Sequence, residues 1–136
     1  MEYKEFITKT ATTVKRANDL NKHSRKEGLA ELIEAIDAQK LQNRDIFEFG
    51  IQLAADGAEL EYIDTVLLNL IKTEQDDTAR RLKIIKKEAI ICIQKGLNSW
   101  LLLNSLFALM NNNERKDVQN ILKDETTFAE FFNMYF

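Results

Sequence analysis

Proline is absent from all 136 residues, and glycine occurs only four times. These two residues weaken a helix interior most, by about 3 and 1 kcal/mol relative to alanine. A chain almost free of both defaults to long helices that meet at few joints. The length suits one domain with one modest core. With 45% hydrophobic and 30% charged residues, the composition is that of a folded globular chain rather than a disordered or fibrous one. The expected fold is therefore all-α: a single helical domain over residues 1–136, with six to eight helices.

Hydrophobic spacing places the helices. Tyr3, Phe6, Ile7, Val14 and Leu20 give a broken stripe over a first helix from about Glu2 to Asn21. Leu29, Leu32, Ile33 and Ile36 recur at the i, i+3, i+4, i+7 spacing of a one-sided helix. Gly28 lies between the two and weakens any continuous helix there without necessarily breaking it. Asp45 with Glu48 three residues on is a capping-box pattern. It opens a short, apolar third helix that ends at Asp56-Gly57. Ile63, Val66, Leu67, Leu70 and Ile71 mark a fourth helix. Beyond it, "KTEQDDTARRLKIIKKEA" either continues as one helix or bends near Asp76-Asp77 into a fifth that ends near Lys95. Asn98 or Ser99 caps a sixth. Asn113 is the expected cap of a seventh that runs through Leu122. Thr127 with Glu130 opens the last helix, whose Phe128, Phe131, Phe132 and Tyr135 share a face.

The joints repeat. Gly57 and Gly96 lie 39 residues apart, and at that offset Ile51 aligns with Ile90, Ile63 with Leu102, Leu67 with Leu106, Leu70 with Leu109 and Ile71 with Met110. Each unit reads as apolar helix, glycine joint, apolar helix and polar break. A period near 40 residues belongs to arrays of helical hairpins, which share a core between neighbours. Two stacked helical-hairpin units are thus the candidate architecture, with Gly28, Asp56, Gly57 and Gly96 as its structural joints.

Charge is distributed unevenly. Residues 28–71 hold nine acidic side chains and two basic ones, Lys40 and Arg44; the flanking segments 1–27 and 72–96 each hold seven basic and four acidic. Such a pattern suits either helices packed against one another or a charged docking surface. The net charge of −3 argues against nucleic acid, which needs a basic surface. The cluster Arg80, Arg81, Lys83, Lys86 and Lys87 reads as a solvated helix face, since no flanking aromatics offer a stacking platform for bases. Cys92 and His23 are the only residues of their types, which excludes an intramolecular disulfide and makes a structural zinc site implausible. Cys92, inside "AIICIQK", reads as a buried, inert thiol. The most apolar stretch, Ala89 to Met110, is broken at Lys95, Asn98 and Asn104, so membrane insertion is not expected. With no apolar leader in "MEYKEFITKT", the expected location is cytoplasmic. Nucleotide-binding, metalloprotease, nucleophile-elbow and paired-cysteine motifs do not occur. The expectation is a non-enzymatic protein with no cofactor and no metal; a small-molecule pocket inside the bundle has no polar anchor in the sequence.

Two segments, "RKEGLAELIEAID" and "IFEFGIQLAADGAELEYIDTVLLNLI", resemble the cytoplasmic region of the MotA family, the flagellar stator subunits related to TolQ and ExbB. Arg25, Glu27, Gly28 and Leu29 match its first block. Gly50, Gln52, Leu53, Asp56, Gly57, Glu61, Ile63, Leu67 and Ile71 match its second. The resemblance covers about residues 17–80 and leaves the helical part 81–136 without a counterpart. The membrane spans and channel prolines of that family are missing, so ion transport is not implied. What the resemblance implies is docking to a protein partner, with the rotor protein FliG as the one suspected. Arg25 matches a rotor-contacting arginine of the family. Ile33 stands where the family has the partnering glutamate, and Glu31 and Glu34 flank it. The partner-binding residues expected are Arg25, Lys26, Glu31 and Glu34. The rival reading is a helical-repeat scaffold or adaptor unrelated to motility, binding a peptide or forming a homo-oligomer through a groove lined by Trp100, Phe107, Phe128 and Phe132.

Overall fold

Eight α-helices and one 3-10 helix make up the computed structural model, which describes residues 1–135, and no strand occurs among them. The expected Thr127–Glu130 cap and the Tyr135 end of the aromatic stripe lie outside the described side chains. Helix α1 spans Tyr3–Glu27. It runs a turn and a half beyond Asn21, because Lys22 to Glu27 contain no breaker even though they add little to the apolar stripe. Gly28, at φ 99°, ends it, and its N–H donates to the Ser24 carbonyl at 2.7 Å.

Leu29–Ala35 then form a 3-10 helix rather than the expected α-helix. The difference decides which side chains point inward. With three residues per turn, positions i and i+3 eclipse. Leu29 and Leu32 therefore share the inner side, where Leu32 is fully buried, while Ile33 turns outward and is 46% exposed.

Helices α2 (Ala38–Gln42), α3 (Ile46–Ala55), α4 (Leu60–Lys72), α5 (Asp77–Lys95), α6 (Ser99–Phe107), α7 (Asn112–Leu122) and α8 (Thr126–Tyr135) follow. The chain bends between α4 and α5, so the break at Asp76-Asp77 is the alternative realised, with Asp76 as the N-cap accepting from Ala79 N–H at 2.8 Å. Asp45 and Asn98 also cap as their types require. For α7 the cap is Asn111, not Asn113, since only Asn111 stands three residues before Glu114 and completes the reciprocal pair of bonds.

Three helix ends close in one way. After α3, Gly57 N–H donates to Ala54 and Ala58 N–H to Leu53; after α5, Gly96 N–H donates to Ile93 and Leu97 N–H to Cys92. This pair of hydrogen bonds is the Schellman motif, which needs a left-handed residue and favours glycine. After α2, Arg44 N–H donates to Leu41 and Asp45 N–H to Lys40 in the same pattern, so an arginine occupies the left-handed place at φ 61°. For a residue with a Cβ that conformation costs about 1–2 kcal/mol.

The hairpins α3–α4 and α5–α6 pack on one another through α5, and α1 lies across α5, α6 and α7. Of the aligned pairs, Ile51 with Ile90, Ile63 with Leu102, Leu67 with Leu106 and Ile71 with Met110 are all buried. Leu70 departs from the pattern and is partly exposed. Each fully buried Ile, Leu or Met contributes about 1.5–3 kcal/mol relative to exposure, so these eight side chains hold the two units together. The C-terminal aromatics belong to the same core. Phe107, Phe128, Phe131 and Phe132 are buried, and Trp100 meets Phe131 edge-on with ring centroids 5.6 Å apart. The expected open groove along Trp100, Phe107, Phe128 and Phe132 is therefore filled by its own rings, because Phe107 and Phe132 stack edge to face at 5.6 Å.

Candidate functional site

The four residues expected to meet a partner lie together at the turn from α1 into the 3-10 helix. Arg25 and Lys26 end α1, and Glu31 and Glu34 stand on the 3-10 helix, all four exposed. Arg25 also has an internal role: its guanidinium donates to the Gly96 carbonyl at 3.1 Å, while Asn21 one turn earlier donates to the Leu97 carbonyl at 2.7 Å. The end of α1 thus straps the α5–α6 joint. Lys26, Glu31 and Glu34 form no ion pair among the described residues. Between the two glutamates sits the exposed Ile33. The result is a small ridge with an apolar centre and charged flanks of both signs.

On α5 the clustered charges are satisfied within the fold. The α5 cluster reads in the structure as a set of ion pairs: Arg80 with Asp77, Arg81 with Glu114, Lys83 with Glu74, Lys86 with Asp45 and Lys87 with Asp64. Two of these, Lys86 with Asp45 and Lys87 with Asp64, join the basic segment 72–96 to the acidic middle, so part of the uneven charge distribution serves helix packing. The exposed pair among them, Arg80 with Asp77, contributes only about 0–1 kcal/mol.

Two pairs differ in being anchored on a buried glutamate. Glu48 is fully buried and is gripped by both terminal nitrogens of Arg16, with Nη2 2.9 Å from Oε2. Glu48 also accepts from Asp37 N–H at 3.0 Å, and Arg16 donates to the Ala35 carbonyl at 2.9 Å and lies over the Phe47 ring. Glu48 was expected to close a capping box with Asp45; instead its carboxylate is turned toward Arg16 and fastens the end of the 3-10 helix to α1 and α3. The clamp is what holds the ridge in place. Arg81 grips Glu114 similarly, with 2.6 Å between Nη2 and Oε1, and lies over Phe6. The hydrogen bonds from Arg81, opposed in part by burial, hold the Glu114 carboxyl below its ordinary range.

Arg16, Glu48 and Glu114 carry no local signal of this role, because each pair joins residues more than 30 positions apart. Cys92 is buried, and burial pushes its thiol up, away from the reactive thiolate. Among the described residues, no group of three His, Cys, Asp or Glu side chains is placed to hold a metal ion, and no helix is long and apolar enough to cross a membrane. Set beside models of known protein families, curated proteins and solved structures, the chain matches none.

Proposed function

We propose that this protein is a non-enzymatic, cytoplasmic interaction module that docks to a protein partner through the ridge of Arg25, Lys26, Glu31, Ile33 and Glu34. One observation carries the reading: Ile33 is an exposed aliphatic side chain set among three charges with no ion pair in the described fold, whereas the basic cluster of α5 is paired throughout. Apolar centres rimmed by charge are the common form of a protein interface. The charged rim sets orientation and association rate more than affinity. The resemblance of residues 17–80 to the MotA cytoplasmic region supports a flagellar rotor protein such as FliG as the partner. In place of the family's salt bridge, Ile33 supplies an apolar contact and Glu31 and Glu34 supply the charge.

Titration of purified FliG tests this by calorimetry. The unmodified chain binds, Glu31→Lys with Glu34→Lys slows association and weakens binding at least tenfold, and Ile33→Asp abolishes it while the thermal midpoint holds. Absence of binding to FliG refutes the motility assignment. Binding that is indifferent to all three changes refutes the ridge.

A further inference from the structure

A cleft of about 490 Å³ opens between α1, the α2–α3 connection and the start of α5. Its floor includes Ile46, Phe47 and Leu82, and none of the ridge residues lines it. Six basic side chains, Lys9, Arg16, Lys40, Arg44, Lys83 and Lys86, face three acidic ones, Asp45, Glu48 and Glu74. Each of those carboxylates is already bound, Asp45 to Lys86, Glu48 to Arg16 and Glu74 to Lys83. Lys40 and Arg44 are left over: both are exposed and neither forms an ion pair or hydrogen bond through its side chain among the described residues. Lys9, ion-paired only with the exposed Glu5 of its own helix, lines the same cleft from α1.

The backbone strengthens the case. Arg44 occupies the left-handed place of a Schellman motif, where Gly57 and Gly96 stand at the two equivalent ends. An arginine there works against the fold and delivers a guanidinium to the cleft mouth; strain of this kind gathers at functional sites. Lys40 and Arg44 are moreover the only two basic residues of the acidic segment 28–71.

We propose that this cleft binds a small phosphorylated molecule, with the phosphate held by Lys40, Arg44 and Lys9. The volume falls within the range of small-ligand pockets, about 300–1,000 Å³. Surplus Lys and Arg charge with a forked guanidinium suits a dianionic group with several acceptor oxygens.

Inorganic pyrophosphate is the probe, titrated at constant ionic strength into the full chain and followed by amide NMR and thermal denaturation. Saturable shifts at residues 40–48 are expected, with chloride and sulfate giving at least tenfold weaker responses. Arg44→Gly relieves the strained backbone and should raise the thermal midpoint by about 4 °C. The same change, and Lys40→Ser separately, should weaken pyrophosphate binding at least fivefold; Lys123→Ser, remote from the cleft, should leave it unaltered. A non-saturating response, equal binding of chloride, or undiminished binding by both cleft variants overturns the proposal. Tighter binding of a glutamate-rich peptide than of pyrophosphate overturns the assignment to phosphate.

Discussion

Gly50 lies in α3 where the helix meets Ile90 of α5, and a Cβ placed there would come within 2.6 Å of Ile90 Cγ1 and 3.2 Å of both Cδ1 and Cγ2. Two effects then oppose each other in Gly50→Ala. Alanine favours the helix by about 1 kcal/mol over glycine. Ile90 is 1% exposed and branched at Cβ, so it has little freedom to move aside. Forcing a methyl into such a core costs about 1–3 kcal/mol. The net expectation is destabilisation by about 1 kcal/mol, taking mid-range values of both terms. Ile90→Ala alone removes the clash partner and costs about 2–5 kcal/mol through lost burial and a cavity. In that background only the helix preference of alanine remains, so adding Gly50→Ala should now stabilise by about 1 kcal/mol. The sign reversal is read from urea denaturation of the four proteins, followed by circular dichroism at constant m-value. If Gly50→Ala stabilises both backgrounds, α3 and α5 do not approach as closely as described, and the hairpin stacking is wrong.

Other consequences are equally direct. Arg16→Met leaves the buried Glu48 charge uncompensated and should cost about 3–5 kcal/mol in urea denaturation, while Arg16→Met with Glu48→Leu should recover most of that loss. Glu114 has a folded pKa below its ordinary 4.5, so its stabilisation is complete above that value and is lost as pH falls through the folded one. Urea midpoints should therefore decline on acidification below about pH 4.5, and Glu114→Gln should flatten that decline while lowering stability at neutral pH. Arg25→Ala removes the bond to the Gly96 carbonyl and should cost about 0.5–1.5 kcal/mol, whereas Lys26→Ala should be neutral in stability. Equal effects of the two would show that Arg25 does not strap the joint.

Much of the backbone plan was legible because it rests on local chemistry. Asp45 and Asn98 announce helix starts through their side-chain oxygens, and Gly57 and Gly96 announce helix ends through the conformation that only glycine adopts freely. The 39-residue offset carried the pairing of Ile51 with Ile90 and of Leu67 with Leu106 into the core. After Gly28 a 3-10 helix replaces the expected α-helix for a physical reason. Leu29 and Leu32 fit a 3-10 helix as well as an α-helix, and only the placement of Ile33 separates the two. Arg44 shows a stronger limit: no spacing rule anticipates a left-handed arginine where glycine is usual. The burial of Glu48 depends on Arg16 from a distant helix, so a surface capping role was the natural local expectation. At the ridge, the sequence placed Arg25, Lys26, Glu31 and Glu34 together through adjacency, but the outward turn of Ile33 and the bond from Arg25 to Gly96 follow from three-dimensional packing.

The proposed docking of a protein partner at the ridge puts Ile33 at the contact. A photo-crosslinking amino acid placed at position 33, with a control at the equally exposed position 121 on α7, tests it directly against purified FliG. A covalent adduct is expected from position 33 that fades in the Glu31→Lys, Glu34→Lys background, and none from position 121. Equal adducts from both positions, or none from position 33, would contradict it.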